Sequence, residues 1–290
     1  MAVVRFEDPE GFRAAIDPLI RGSEARHNLM HGILGTLIDD PSVYEEHRLW
    51  LVARNGAPVA AAMRTPPWKL ILADGADQQA AAELAAGIAA DPEDPPGAIG
   101  NRPTVDWFVE AWSQSTGDTV DPHMAQGVFA LESVTPQPHA RGAPRMATSS
   151  DADLIVDWFE QFSFEAIPEE PVDRDRYASA AARLIERRRG TGVWLWDRDA
   201  QVVSLSAHGN PTPSGMRIGP VYTPPEHRGR GYATALVAHQ SAQLLASGRR
   251  FCFLFTDLAN PTSNAIYQRI GYKQIAESMD YGFAAGADRG

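Results

Sequence analysis

The clearest pattern of apolar and polar positions lies in the second half of the chain. Apolar residues recur at helical spacing over residues 231–247, and Gly248 follows where a left-handed helix end is expected. Residues 251–256 form a short apolar run, which favours a strand buried on both faces. Asn260 and Pro261 are typical of a helix start, and Gly271 is typical of its end. With an apolar segment over 218–223, the predicted order is strand, loop, helix, strand, helix, strand.

The first half repeats this organisation at an offset of 144 residues. Trp50 and Leu51 match Trp194 and Leu195, and both segments predict hairpins, with turns at 55–56 and 199–200. Further helices are predicted over 9–19, 23–38, 77–90, 103–115, 150–164 and 172–188, and further strands over 69–73, 98–100 and 127–132. Residues 134–145 are rich in proline and glycine, which indicates a linker. We therefore predict two copies of one fold, over residues 1–133 and 145–290, joined by a linker over 134–144.

Composition is that of a globular protein, with 44% hydrophobic and 22% charged residues. The first seven residues lack a leader pattern and no apolar run reaches membrane-spanning length, so a cytoplasmic protein without membrane contact is expected. The net charge of −11 arises in residues 1–140, which hold 9 Lys and Arg against 20 Asp and Glu. This acidity argues against a nucleic-acid partner. It would attract an amine, although a solvated acidic surface is the commoner explanation. The single cysteine, Cys252, excludes an internal disulfide, and no spacing of metal ligands is visible, so no metal is expected.

Glycines and arginines fill the loop between the strand over 218–223 and the following helix. Gly229 and Gly231 let backbone N–H groups approach an oxyanion, the helix start adds further N–H donors, and Arg228 and Arg230 add charge. A pyrophosphate is the natural ligand of such a loop. Neither the dinucleotide pattern G-x-G-x-x-G nor the triphosphatase pattern G-x-x-x-x-G-K-[ST] is present.

The loop instead reads R-x-x-G-x-A, at Arg228, Gly231 and Ala233, and it resembles the [Q/R]-x-x-G-x-[G/A] signature of the GNAT N-acetyltransferases. The element order is also similar to that family, as are an asparagine after the next strand and a tyrosine in the last helix, here Asn260 and Tyr267. The resemblance implies an α/β protein of tandem GNAT folds, each a mostly antiparallel twisted sheet flanked by helices. Its architecture resembles that of mycothiol-synthase-like proteins.

The first copy has no counterpart of this loop. Between its strand and helix lie only Asp74, Gly75, Ala76 and Asp77, and the two aspartates would repel a pyrophosphate. We therefore expect a degenerate first copy and a single active copy, the second.

The resemblance implies acetyl-CoA as the co-substrate and a strand before the loop, over 218–223, that diverges from its neighbour. The expected acetyl-CoA-binding residues are Val221, Tyr222, Thr223, Arg228, Gly229, Arg230, Gly231, Tyr232, Ala233, Thr234, Asn260 and Tyr267. The N–H group of Val221 is the expected donor to the oxyanion, and Tyr267 is the expected proton donor to the leaving thiolate. For the general base, Glu165 and Asp257 rank ahead of Glu226 and His208.

Two functions remain open at this stage. One is an N-acetyltransferase that acts on a primary amine of a small molecule or peptide by direct attack in a ternary complex. The other is a catalytically inactive acetyl-CoA-binding sensor. An RNA-binding protein is disfavoured by the acidic charge. The sequence leaves open the acceptor, the length of the acyl group, and whether the protein is a monomer or a homodimer.

Overall fold

The computed structural model describes residues 3–92, 94–166 and 173–286, which form two compact units. The first unit comprises Met1–Val128, Thr256–Asn260 and Gln274–Gly290, and the second comprises Phe129–Phe255 and Pro261–Lys273. Both units therefore draw on separate stretches of the chain. The division of the sequence into two consecutive copies, joined by a linker over 134–144, stays a prediction.

The structure contains both strands and helices, as the sequence predicts. In chain order the strands are β1 (Val3–Phe6), β2 (Arg48–Arg54), β3 (Ala57–Arg64), β4 (Leu70–Leu72), β5 (Gly97–Asn101), β6 (Thr119–Leu131), β7 (Ala143–Met146), β8 (Gly192–Arg198), β9 (Gln201–Gly209), β10 (Gly215–Tyr222), β11 (Phe251–Asp257) and β12 (Lys273–Ala284). The helices are α1 (Pro9–Ile20), α2 (Asn28–Asp39), α3 (Gln78–Ala89), α4 (Thr104–Thr116), α5 (Ala152–Ala166), α6 (Arg174–Ile185), α7 (Tyr232–Ala246) and α8 (Pro261–Ile270). Within the described ranges, no helix combines the length and apolar character needed to cross a membrane.

The first unit is a mixed sheet with strand order β1-β2-β3-β4-β5-β12-β6. Strands β1 to β4 are antiparallel, β4 and β5 are parallel, and β12 is antiparallel to β5. Side chains of β2 alternate between two cores: Leu49 and Leu51 pack against α1 and α2, whereas Trp50 and Val52 pack with α3 and α4. The last strand of the chain completes the second of these cores, because Tyr281 of β12 is buried there.

The second unit repeats the same pairing pattern, in the order β6-β11-β10-β9-β8-β7. Strands β7 to β10 are antiparallel, and β10 and β11 are parallel. On one face Val193 and Leu195 of β8 pack with α5 and α6. On the other face Trp196 packs with α7. Two layers of helices thus enclose the sheet that carries the predicted loop.

Most predicted elements are confirmed, and the differences have a physical reason. Both hairpin turns are present, with Asn55, Asp199 and Ala200 in left-handed backbone conformations. The helix predicted over 172–188 is observed as Arg174–Ile185, and residue 172 lies outside the described residues. Strands β1 and β7 were not predicted, because each is four residues long, carries no fully buried residue and leaves no alternating signal. Strand β6 begins eight residues before its predicted start. The prediction missed its first half because those residues are mostly exposed and give no apolar pattern.

Candidate active site

Strands β10 and β11 part within the second unit. Their parallel register joins Gly215 to Phe251, Met216 to Cys252 and Arg217 to Phe253, and it ends there. Strand β10 continues to Tyr222, still paired with β9 on its other side. The expected divergence before the loop is therefore present, and it leaves an opening between β10 and β11.

A bulge accompanies this divergence. The register of β10 against β9 shifts between Ile218 and Val221. The two residues within the bulge are Gly219, with a φ of 137°, and Pro220, which has no N–H group to donate. A bulge bends its strand and disrupts regular pairing. The local sequence thus explains why the strand leaves its neighbour at this point.

The loop after β10 presents open backbone N–H groups. Gly229 and Gly231 have φ values of 73° and 78°, and a Cβ atom at either would meet nothing within 4 Å. Backbone conformation, rather than lack of space, therefore requires glycine at both positions. Gly231 precedes α7 without a side-chain cap, and the first bond of the helix runs from Ala235 N to Gly231 O at 3.0 Å. The helix start therefore offers N–H donors and a positive dipole end to an anion.

The two arginines of the loop differ in their surroundings. Arg228 donates from Nε to the Thr223 carbonyl at 2.8 Å and from Nη2 to both oxygens of Glu165, at 2.8 and 2.7 Å. Its guanidinium lies 5.7 Å from the ring centroid of Tyr222. Arg230 is exposed and has no hydrogen bond or ion pair with any described residue. One arginine is thus anchored, and the other is available to a ligand.

Glu165 belongs to the last turn of α5 and lies against the loop. Besides pairing with Arg228, its Oε1 accepts a hydrogen bond from the Tyr222 hydroxyl at 3.3 Å, and that hydroxyl also donates to Gln161 Oε1 at 2.8 Å. Burial and the nearby Glu165 carboxylate raise the pKa of Tyr222. The Glu165 carboxylate thus occupies the guanidinium of Arg228, one of the residues predicted to bind a pyrophosphate.

Tyr267 of α8 and Val221 of β10 pack against the same core cluster. Tyr267 is half-buried, with its ring 5.9 Å from that of Tyr272 in an edge-on arrangement. Its hydroxyl has no hydrogen-bond partner among the described residues. Burial raises the pKa of Tyr267 to about 12, so the phenol stays protonated at neutral pH. Two residues expected at the reaction centre are therefore brought to one face of the sheet.

The remaining predicted residues lie in several settings. Tyr232 is buried and its hydroxyl accepts a bond from Arg198 at 2.7 Å, and the hydroxyl of Thr223 bonds that of Ser204 at 2.8 Å. Ala233 and Thr234 follow in the first turn of α7. Asp257 and Asn260 belong to the first unit, where Asp257 accepts from Ala259 N at 2.8 Å and Asn260 N donates to the Asp257 carbonyl at 3.0 Å.

The two lower-ranked base candidates differ in exposure. Glu226 is exposed, in the short turn before Arg228. His208 is buried, with Nδ1 2.9 Å from Gln240 Nε2, and burial lowers its pKa to about 4. His208 is therefore a neutral core residue at physiological pH.

The corresponding helix start of the first unit carries two carboxylates of its own. Asp77 caps α3 by accepting from Ala80 N at 2.7 Å. Asp74 accepts from Gly75 N at 2.8 Å and from Arg26 Nε at 2.5 Å. Because Asp77 accepts from one donor of this helix start and both carboxylates would repel a second anion, the start of α3 is less suited to an anion than that of α7.

A cavity of about 560 Å³ lies beside the loop of the second unit. Its lining includes Trp158 and Gln161 of α5, the turn after β8, and residues 224–227. Sequence reasoning did not single out Gln161 or Arg217, the residue at which β10 and β11 part. The available signal for Arg217 was its position as a charged residue between two apolar residues of a predicted strand.

Comparisons with known proteins agree with this geometry. A model of the FR47-like protein family matches residues 200–280. Among curated proteins, no sequence matches the chain. A GCN5-related N-acetyltransferase from Sphaerobacter thermophilus is 16% identical, with a TM-score of 0.61, over 99% of this chain and 97% of the other.

Two further solved structures are similar over almost the whole chain. A tandem GNAT protein from the clavulanic acid biosynthesis pathway is 15% identical over 99% of both chains, with a TM-score of 0.60. A Drosophila protein is 12% identical over 98% of this chain and 99% of the other, with a TM-score of 0.69. The predicted resemblance to tandem GNAT proteins and the predicted α/β class are confirmed at the level of the fold.

Proposed function

We propose that the second copy is an acyl-CoA-dependent N-acetyltransferase, which moves an acetyl group from acetyl-CoA to a primary amine of a small molecule or peptide. The observation that carries this proposal is the parting of β10 from β11 immediately before a loop with open N–H groups. An opening between two strands suits an extended acyl-carrying arm, and the loop suits a pyrophosphate. The GNAT fold supports the same reaction class.

The loop and strand residues would hold acetyl-CoA. The N–H groups of Gly229 and Gly231 and the charges of Arg228 and Arg230 would bind the pyrophosphate, together with the helix start at Tyr232, Ala233 and Thr234. The backbone of Val221, Tyr222 and Thr223 would hold the pantetheine arm, with Asn260 contributing a further contact. The pyrophosphate and the pantetheine arm are common to all acyl-CoAs, so the groups that would bind them do not select acetyl over longer acyl groups.

The proposed reaction needs one oxyanion donor and one proton donor. The amine nitrogen attacks the thioester carbonyl, and the N–H group of Val221 stabilises the resulting oxyanion. The carbon–sulfur bond then breaks, and the Tyr267 hydroxyl gives its proton to the departing thiolate. A phenol with a pKa of about 12 stays protonated until this step.

Glu165 and Asp257 stay the proposed acceptors of the proton that the amine loses. Glu165 has to leave Arg228 to act in this way, since both of its oxygens accept bonds from that guanidinium. Binding of a pyrophosphate to Arg228 would compete for the same donor. Ligand binding and release of the base are thus linked through one arginine.

We further propose that the first copy, residues 1–133, is degenerate, that residues 134–144 are a linker, and that residues 145–290 form the active copy. The aspartates at the start of α3 support this asymmetry. We place the protein in the cytoplasm, without a nucleic-acid, membrane or metal partner, as a monomer or homodimer.

Binding and transfer are tested in sequence. Thermal shift with acetyl-CoA and longer acyl-CoAs tests binding, and release of thiol with a panel of amines tests transfer. Background from the protein is expected to be low, because Cys252 is buried and burial raises its pKa to about 12. The absence of a shift with every acyl-CoA would contradict the proposal.

Tyr267→Phe separates a transferase from a binding protein that has lost catalysis. The phenylalanine keeps the packing against Tyr272 and removes the proton donor. We expect turnover to fall by about 10²–10⁴-fold, the usual contribution of a general acid, with unchanged acetyl-CoA affinity. Unchanged turnover would remove Tyr267 from the mechanism.

A further inference from the structure

Arg217 lies at the closed end of the opening between β10 and β11. Its neighbours Met216 and Ile218 are buried in the core against α7, so strand alternation places Arg217 on the opposite face of the sheet. On β11, Cys252 and Leu254 lie in that same core, which places Phe255 on the face of Arg217. The Arg217 guanidinium lies 5.2 Å from the centroid of the Phe255 ring.

The guanidinium of Arg217 has no hydrogen-bond or ion-pair partner among the described residues. In contrast, Arg145 in the same unit bonds both Asp151 and Asp197. Arg217 is half-buried, and burial lowers its pKa. A guanidinium carries five N–H donors, and in this half-buried position those of Arg217 are left to water or to a ligand. The Phe255 ring attracts the positive charge but provides no acceptor for those donors.

The chemistry that satisfies such a group is a planar anion. A carboxylate accepts two parallel N–H bonds from a guanidinium, and an aromatic ring can stack on the same cation. The Arg217–Phe255 pair is therefore suited to a carboxylate in the plane of the guanidinium. Both residues belong to the second unit, so this pair is complete within it.

The position of Arg217 fits the acceptor rather than acetyl-CoA. Val221 lies four residues further along β10, at most about 13 Å from Arg217 at the rise of a strand. The Arg217 side chain extends towards Phe255, which lies beyond the last paired residue of β11. The distance from its guanidinium to Val221 is therefore shorter than the distance along the backbone. Tyr267 packs on the other face of the sheet, with Met216 and Ile218. An amine that reaches the carbonyl from the face of Arg217 would carry its carboxylate only a few bonds from the reacting nitrogen.

Resting on the transferase function proposed above, we propose that Arg217 binds a carboxylate of the acceptor, and that the acceptor is an amino acid or another short amine bearing a carboxylate. Arg217 is thus a specificity-determining residue of the second copy. Phe255 holds its guanidinium in place.

Matched pairs of amines test this assignment. Each L-amino acid is compared with the amine that lacks its α-carboxylate, and β- and γ-amino acids are compared with the corresponding alkylamines, by release of thiol from acetyl-CoA. A charge-assisted hydrogen-bonded pair predicts a preference in kcat/KM of about 10- to 100-fold for the carboxylate-bearing member.

Three variants assign the preference to the side chain. Arg217→Met should lower kcat/KM only for carboxylate-bearing amines, by the same factor, and leave acetyl-CoA affinity unchanged. Arg217→Lys should keep part of the preference, because it keeps the charge and loses the bidentate geometry. Arg250→Met is the control, since Arg250 is exposed and has no hydrogen bond or ion pair with its side chain among the described residues. It should change neither quantity.

Each outcome supports or overturns the assignment. Equal turnover of paired amines by the wild-type protein would overturn it without any variant. An equal loss for both members of a pair in Arg217→Met would show a structural role. Turnover of other amines, but of no carboxylate-bearing amine, would also overturn it. Failure to bind acetyl-CoA, or binding without turnover of any amine, would instead contradict the proposed function, on which the Arg217 assignment rests.

Discussion

Gly231→Ala tests whether the backbone of the loop, rather than its charge alone, forms the anion site. Gly231 has φ 78° and ψ 6°, and an added Cβ would meet nothing within 4 Å. The cost of alanine is therefore that of a left-handed backbone, roughly 1–2 kcal/mol. The variant loop can avoid this cost by adopting another backbone conformation, in which its N–H groups no longer point towards the anion site. Acetyl-CoA would then have to restore the strained conformation, which lowers its affinity by about 5- to 30-fold.

Gly117→Ala is the matched control. Gly117 ends α4 in the first unit with φ 76° and ψ 6°, and it too has open space at its Cβ position. We expect Gly117→Ala to lower the melting temperature by a few degrees, as about 1–2 kcal/mol does for a domain of this size, with unchanged acetyl-CoA affinity. Thermal unfolding and titration calorimetry measure both quantities. Wild-type affinity in Gly231→Ala, or an equal loss of affinity in both variants, would refute the backbone role of the loop.

Three further predictions follow from single contacts. Glu165→Gln frees Arg228 from an exposed pair worth about 0.2–1 kcal/mol, so the KM for acetyl-CoA should fall by up to about fivefold; a collapse of kcat at constant KM would instead assign Glu165 as the base. Arg230→Gln should weaken binding of acetyl-CoA but not of acetyl-pantetheine, which has no pyrophosphate, and equal losses would contradict the assignment. The pKa of His208 is about 4, below its unfolded value of 6.5, so folding stability should decline as pH falls from 6.5 towards 4, by roughly 3 kcal/mol over that window. Urea midpoints at pH 7 and pH 5 should therefore differ less in His208→Gln than in the wild type, and an unchanged difference would exclude His208 as the cause.

The long elements of the second copy could be predicted because their patterns are strong. Residues 231–247 carry a sustained helical period, and the observed helix, α7, differs from the prediction by one residue at each end. The loop could be predicted because glycine spacing and arginine charge act locally. The edge strand β7 could not, since a short strand paired on one side buries too little to produce a periodic signal.

Features that depend on distant pairing were out of reach. The Glu165–Arg228 contact joins residues 63 positions apart, and no periodicity connects them. The placement of β12 in the first unit depends on the burial of Tyr281 there, and the apolar pattern of a strand does not identify its partner. Arg217 could be assigned to a polar position between Met216 and Ile218, but its contact with Phe255 follows from the register of β10 and β11.

Titration calorimetry of acetyl-CoA into the intact chain tests the central claim most directly, because the corresponding helices of the two copies differ in their capping. The α7 helix start of the second unit is uncapped, whereas Asp77 caps α3 in the first. We predict one molecule of acetyl-CoA per chain, with binding lost when Arg228 and Arg230 are both replaced by glutamate. Absence of binding by the wild-type chain, a stoichiometry of two, or binding that survives the double replacement would contradict the account.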